Sequence, residues 1–288
     1  MILSMTGFAS ASAALPGISL AVELRSVNHR YLDVTIKLPE ELRALEPALR
    51  EQLAAAQKRG KVECRVSLAR TAGTAATIAV NTERVAQLAG AAADVARAVP
   101  GTPPLTTADI LRWPGVMIDA TISPEALAEA VDALVQQSLQ DLTSARAREG
   151  ATLRAVLEAR CTDIETQVAR IVPRIPALHA AYLDKLGARL ADAGVDANDD
   201  RLKQELAFFA TKIDVAEEVA RLSTHIGEMR RVLAQGGTVG KRLDFLAQEL
   251  HREANTLGSK SVDAELSQVS LELKVLIEQM REQVQNLE

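Results

Sequence analysis

Five residues in the stretch TKIDVAEEVARLSTHIGEMRR carry groups that do acid–base or metal chemistry: Asp214, Glu217, Glu218, Arg221 and His225. Their spacing places them within an arc of about 100° on a helical wheel, while Val215, Val219, Leu222 and Ile226 form a separate apolar stripe. Carboxylate oxygens and a neutral imidazole nitrogen suit a divalent ion such as Mn²⁺ or Mg²⁺. The same groups can act as acid and base in phosphodiester cleavage. The spacing equally suits a salt-bridged surface on which Glu217 and Glu218 both reach Arg221.

A second polar set follows in GKRLDFLAQELHREANTLGSKS. Wound as a helix, Leu243, Leu246, Ala247, Leu250, Ala254 and Leu257 make one apolar seam. The opposite flank holds Asp244, Gln248, His251 and Asn255, bordered by Arg242, Glu249, Arg252 and Glu253, with Lys260 just beyond. Amides and arginines hydrogen-bond phosphate and sugar oxygens, and the carboxylates can reach a metal. A buried polar seam between neighbouring helices would have the same composition. A third set breaks the alternation of ISLAVELRSVNHRYLDVTIKLP. Read as one long strand, it puts Ser26, Asn28 and Arg30 on the face of Val22, Leu24, Leu32, Val34, Ile36 and Leu38, with Arg25, His29 and Tyr31 opposite. A bulge, a polar cavity or a bend near Asn28 would each account for that.

The elements that must hold these groups divide the chain in three. Residues 1–100 read as an α+β domain with a small mixed sheet backed by helices. PEELRALEPALREQLAAAQKRG is helical and KVECRVSLAR a strand with Val62, Cys64, Val66 and Leu68 inward. TIAVN adds a further strand, and Asn81 or Thr82 caps the helix that follows. Residues 101–122, beginning GTPPLTTAD, form a proline-rich linker, with ILRWPGVM a short ordered link after its prolines. Residues 123–288 form a long-helix domain, opened by Ser123-Pro124-Glu125 and broken at Pro173 and Pro176. Further helices run over Ala177–Ala193, over Asp199–Ala234 (continuous or interrupted), over Lys241–Leu257 and from Asp263 to the end. In the last, Leu266, Val269, Leu273, Leu276, Ile277, Met280, Val284 and Leu287 form one stripe, whose burial needs other helices, some of them in neighbouring subunits.

Composition narrows the function classes. The chain of 288 residues is 48% hydrophobic but only 2% aromatic, so Ala, Val and Leu fill its interior. A net charge of −5 argues against a generally basic nucleic-acid coat, though not against a local basic groove. Cys64 and Cys161 lie far apart and lack ligand spacing. MILSMTGFAS has neither the basic start nor the apolar core of an export signal, and no apolar run is long enough to span a membrane. A cytoplasmic protein with reduced thiols is expected. The chain has no P-loop, GxGxxG after a strand, GxSxG elbow or HExxH.

The segments MTGFAS, ELRSVNHRYLDV, LPEELRALEPALRE, RGKVEC, RLDFLAQELHREANTLGSKS and ELKVLIEQMREQVQNLE resemble the bacterial YicC/YloC family from Met1 to Glu288. DVAEEVARLSTH is similar to the family's Asp-x-x-Glu-Glu-x-x-Arg-Leu-x-x-His pattern, while His251 stands where the family more often carries Asn. The resemblance implies a metal-dependent endoribonuclease acting on single-stranded or structured RNA, small regulatory RNAs included. It also implies a ring-like homo-oligomer, a hexamer, that encloses the RNA and works beside other RNA-decay proteins. On that reading Glu217, Glu218 and His225 hold Mn²⁺ or Mg²⁺, helped by Asp214 or Glu249, and His29 is a second acid–base candidate. Arg25, Asn28, Arg30, Arg221, Arg242, Arg252, Asn255 and Lys260 contact the RNA. The alternatives are a non-catalytic RNA-binding adaptor that presents RNA to another nuclease, and a purely structural oligomer.

Overall fold

The computed structural model describes residues 1–70, 79–118, 123–192 and 200–288. Its class is α+β: a small mixed sheet and, towards the C-terminus, long helices. Two compact units can be separated, one of residues 8–25 and 31–141, the other of residues 1–7, 26–30 and 142–288.

In the first unit the strands β1 (Gly7–Leu15), β2 (Ile18–Val27), β3 (Leu32–Lys37) and β4 (Gly60–Arg70) form a sheet in the order β1-β2-β4-β3. Pro16 and Gly17 turn β1 into β2, and Gly17 has φ +80°, as the third position of a type II turn requires. β3 and β4 run parallel, Leu32 opposite Gly60 and Ile36 opposite Cys64. A parallel pair needs a long crossover, supplied by a 3-10 turn (Glu40–Leu45) and helix α1 (Glu46–Ala56). Val62, Cys64 and Val66 are buried on β4 with Leu20, Val22 and Leu24 of β2, while Lys61 and Arg65 are exposed.

The long strand expected from Ile18 to Pro39 is instead two strands. β2 ends at Val27, and Asn28 to Tyr31 form an exposed irregular segment. The physical reason is polar satisfaction. Ser26 is buried and its hydroxyl donates to Met5 O (2.8 Å), and the Asn28 side chain donates to Gln285 O (2.8 Å). These partners lie outside the sheet and draw the chain away from its ladder.

The short strands β5 (Ala79–Val80) and β6 (Met117–Ile118) pair antiparallel and bracket helices α2 (Thr82–Ala98) and α3 (Thr107–Arg112). Asn81 caps α2 by accepting from Arg84 N, and Thr106 with Asp109 forms a capping box on α3. The segment read as a proline-rich linker thus carries regular structure. The N-terminal part of the expected TIAVN strand lies outside the described residues.

Helix α4 (Pro124–Ile171) contributes residues to both units. It ends in a 3-10 turn at the expected prolines, before α5 (Ile175–Asp192), α6 (Asp200–Ile213), α7 (Ala216–Gln235), α8 (Gly240–Ser259) and α9 (Ala264–Val284). In the second unit α8 packs between α7 and α9. Its core joins Leu157, Cys161 and Ile164 of α4 to Leu222, Ile226 and Met229 of α7, Leu246 and Leu250 of α8, and Leu273 and Ile277 of α9. Each fully buried aliphatic side chain contributes about 1.5–3 kcal/mol. The α9 stripe is therefore covered within this chain, and Leu276 alone of its members is only partly buried. Gly258 lets α8 and α9 approach closely: a Cβ there would lie 2.5 Å from Ser270 Oγ, which donates to Ala254 O at 2.9 Å.

Candidate functional site

The helical break at Asp214 decides what the first polar set can do. α6 ends at Ile213 and α7 begins at Ala216, so Asp214 precedes the helix that was expected to carry it. Its carboxylate accepts from Ala216 N at 2.9 Å, satisfying one of the amides that a helix start leaves open. A short acidic side chain that binds nearby backbone competes with continued helix. The Asp214 carbonyl also accepts from Lys260 Nζ at 2.9 Å.

Along α7, Glu217 is exposed and bonded to Arg221 one turn on. Glu218 points the other way. It is buried, ion-pairs with Lys260 Nζ at 2.8 Å, and its Oε2 has no hydrogen-bond partner in the structure. The two neighbouring acids are thus held in different environments by different cations. Arg221 also reaches Glu253 of α8 at 3.4 Å. The Glu217 carboxylate first, and that of Glu253 second, hold the Arg221 guanidinium above its ordinary pKa.

His225, two turns into α7, faces α8. Ligating atoms of His225, Glu249 and Glu253 lie within 4.8 Å of one another, the only such grouping of acids, His or Cys among the described residues. His225 and Glu249 are half-buried, and Glu253 is 3% exposed. Burying a carboxylate beside another carboxylate is unfavourable without a cation. The cations available are Arg221 on Glu253 and Arg252 on Glu249, the latter at 3.7 Å. The donor set matches a divalent ion that accepts both oxygen and imidazole, Mn²⁺ better than Mg²⁺.

Of the residues singled out in the sequence, the structure brings together His225 and Glu249, Arg221 and Glu217, and Lys260 with Glu218 and Asp214. It does not place Glu217 or Glu218 in the grouping with His225. In the sequence Glu253 only borders the polar flank of α8. Its signal was its place in the apolar seam, three after Leu250 and four before Leu257, where an acid is out of pattern.

The polar flank of α8 is tied largely to itself. Asp244 accepts from Gln248 at 2.8 Å, and Asn255 pairs with His251 Nδ1 at 3.1 Å. Arg281 of α9 approaches Asp244 at 3.7 Å. Arg242 joins Arg231 on Glu228, and these two guanidiniums, Arg231 first, draw the Glu228 carboxyl down to about 2. Arg252 and Asn255 are exposed, as are Asn28, His29 and Arg30 in the segment after β2, and Arg25 is exposed on β2 in the sheet unit.

Comparison with known proteins adds a consistent set of matches. Residues 2–155 match the family model of the N-terminal region of endoribonuclease YicC-like proteins, and residues 171–288 match that of their C-terminal region. A Haemophilus influenzae protein named "Probable endoribonuclease YicC" is 38% identical over 288 residues, with the whole of both chains covered. One of the same name from Clostridioides difficile is 27% identical over 293 residues, again covering both chains fully.

Proposed function

Because the chain belongs to the YicC-like endoribonuclease family, we propose that it cleaves RNA internally at the centre formed by His225, Glu249 and Glu253. The observation that carries this reading is the convergence of those three side chains from two helices. They would hold a divalent ion, Mn²⁺ or Mg²⁺, which when bound supplies a Lewis acid for the scissile phosphate. The protein's own groups do the rest. Arg221 and Arg252 orient the carboxylates and leave a positive rim for phosphate, Arg252 being 68% exposed. Glu217 holds Arg221 in place from the outer side. Lys260, fixed by Glu218 and the Asp214 carbonyl, adds a third cation at the end of α8.

His225 and Glu249 remain ligands as the sequence suggests, Glu253 joins them, and Asp214, Glu217 and Glu218 take supporting roles. His29 remains a second acid–base candidate, and Arg25, Asn28, Arg30, Arg242 and Asn255 remain candidate RNA contacts. Single-stranded or structured RNA is the proposed substrate class. Small regulatory RNAs, other RNA-decay proteins as partners and a hexameric ring are proposed on the family resemblance, and a cytoplasmic place of action on the sequence reading. Assembly has one structural support: Phe245 of α8 and Leu271 and Val275 of α9 are at least half exposed, and large exposed apolar side chains are what an interface between subunits covers. No described helix is long and apolar enough to cross a membrane.

The test is a digest of a labelled RNA by chelator-stripped protein with metals added singly. Cleavage restored by Mn²⁺ and lost in Glu249→Gln/Glu253→Gln supports the centre. RNA binding without cleavage under any metal would favour the adaptor.

A further inference from the structure

Helix α5 presents one face to a hollow of about 220 Å³, closed on the far side by Val262 and Asp263 of the α8–α9 connection. Tyr182, Lys185 and Arg189 stand on that face at intervals of three and four, with Leu178 and Leu186 beside them. Most arginines of this unit are already paired. Just before α5, Arg174 pairs with Glu265 and Arg170 reaches Glu265 at 3.4 Å and Glu272 at 3.9 Å. Lys185 and Arg189, by contrast, form no ion pair or hydrogen bond among the described residues, and both are exposed. Like charges one turn apart repel unless an anion lies between them. Asp263, the acid on the opposite wall, is already engaged, accepting from Glu265 N at 2.8 Å as the cap of α9.

A half-buried ring with two unpaired cations one and two turns further on is the arrangement used for single-stranded nucleic acid. The aromatic face takes a base and the cations take the phosphate. The volume is below the roughly 300–1,000 Å³ of drug-sized pockets, and it admits one nucleotide rather than a duplex. We propose that this hollow binds one nucleotide of a single-stranded RNA, its base against Tyr182 and its phosphate between Lys185 and Arg189. It would be a second point of grip, away from His225, Glu249 and Glu253. Its continuity with the α8 flank is direct, because its far wall is the connection that begins at Lys260. The inference rests on the reading of the chain as a protein that acts on RNA.

Fluorescence anisotropy of a 12-nucleotide unstructured, fluorescein-labelled RNA tests it with the full-length protein, read as affinity against salt. Tyr182→Ala should weaken binding about tenfold, and Tyr182→Phe, which keeps the ring, should bind as the unaltered protein does. Lys185→Ala/Arg189→Ala should flatten the plot of log affinity against log salt by about 0.7–1.4. Photocrosslinking of 5-iodouridine-substituted RNA should map to the peptide containing Tyr182, a readout that does not depend on the stability of any variant. Unchanged affinity and slope, or a crosslink that maps elsewhere, overturns the hollow and leaves the nuclease reading standing. Failure of the unaltered protein to bind RNA at all overturns both.

Discussion

Arg146 of α4 is 3% exposed and ion-pairs with Glu288, whose side chain is 9% exposed. Its Nε also donates to Ser4 O at 2.5 Å, and its own carbonyl accepts from Ser4 N at 3.0 Å. Ser4 forms a β-bridge to Leu287, and Glu288 N donates to Leu3 O at 2.9 Å, so one arginine fastens two chain segments to the helix. Arg146→Ala leaves a buried carboxylate without its cation and a buried carbonyl without its donor. Removing one partner of a buried pair costs about 3–5 kcal/mol, whereas the same change at the exposed Arg43–Glu40 pair costs about 0–1 kcal/mol. Urea unfolding followed by circular dichroism measures the difference. At a slope of about 3 kcal/mol/M the midpoint should fall by about 1–1.7 M in Arg146→Ala, and by less than about 0.3 M in Arg43→Ala. Arg146→Met/Glu288→Leu should recover much of the loss, since no charge is left buried. Equal small shifts in Arg146→Ala and Arg43→Ala would mean that the buried pair contributes no more than the exposed one.

Three further outcomes follow from the structure. Gly150→Ala should destabilise by several kcal/mol, because its Cβ would stand 2.3 Å from the Ile2 carbonyl oxygen. Gly187→Ala, in α5 with nothing within 4 Å, should stabilise by about 0.4–1 kcal/mol; paired thermal melts compare the two. Burial raises the thiols of Cys64 and Cys161 to about 11. A disulfide reagent at pH 8 should therefore react with both only after unfolding. Both thiols stay protonated in the fold where unfolded ones ionise, so stability falls as pH rises from the ordinary thiol value of 9.0 towards 11. Glu228 runs the other way. Its carboxyl is held near 2 by Arg231 and Arg242, so its contribution is present above the ordinary 4.5 and is lost as pH falls towards 2. In Arg231→Ala/Arg242→Ala, NMR titration should place Glu228 back near 4.5.

The helical unit was legible because its apolar seams repeat at helical spacing. Leu243 to Leu257 of α8 and Leu266 to Val284 of α9 are buried as their periodicity predicts. Ser123-Pro124 and the prolines after Ile171 marked the ends of α4 for reasons local to the backbone. Where distant partners decide, local pattern fell short. The alternation of β2 into β3 continues across Asn28 in sequence, yet Ser26 and Asn28 bond to Met5 and Gln285 and end the strand. Asp214 shared a helical wheel with His225, but it stands in the break between α6 and α7, where its carboxylate accepts from the first amide of α7. In the candidate centre, His225 and Glu249 could be picked out by residue type. Their convergence with Glu253 depends on how α7 crosses α8, and no single-helix pattern encodes that.

If His225, Glu249 and Glu253 act together as the ion-holding centre of an RNA-cleaving enzyme, removing any one of them should impair turnover more than RNA binding. The most direct measurement is the cleavage rate of a labelled RNA against Mn²⁺ concentration for the unaltered protein, His225→Ala and Glu253→Gln, with RNA affinity measured in parallel. An ion-holding role predicts that both variants keep near-normal RNA affinity, lose most activity at limiting metal and recover part of it at high Mn²⁺. Wild-type rates in both variants at limiting metal would contradict it and leave the grouping as a salt-bridged contact between α7 and α8.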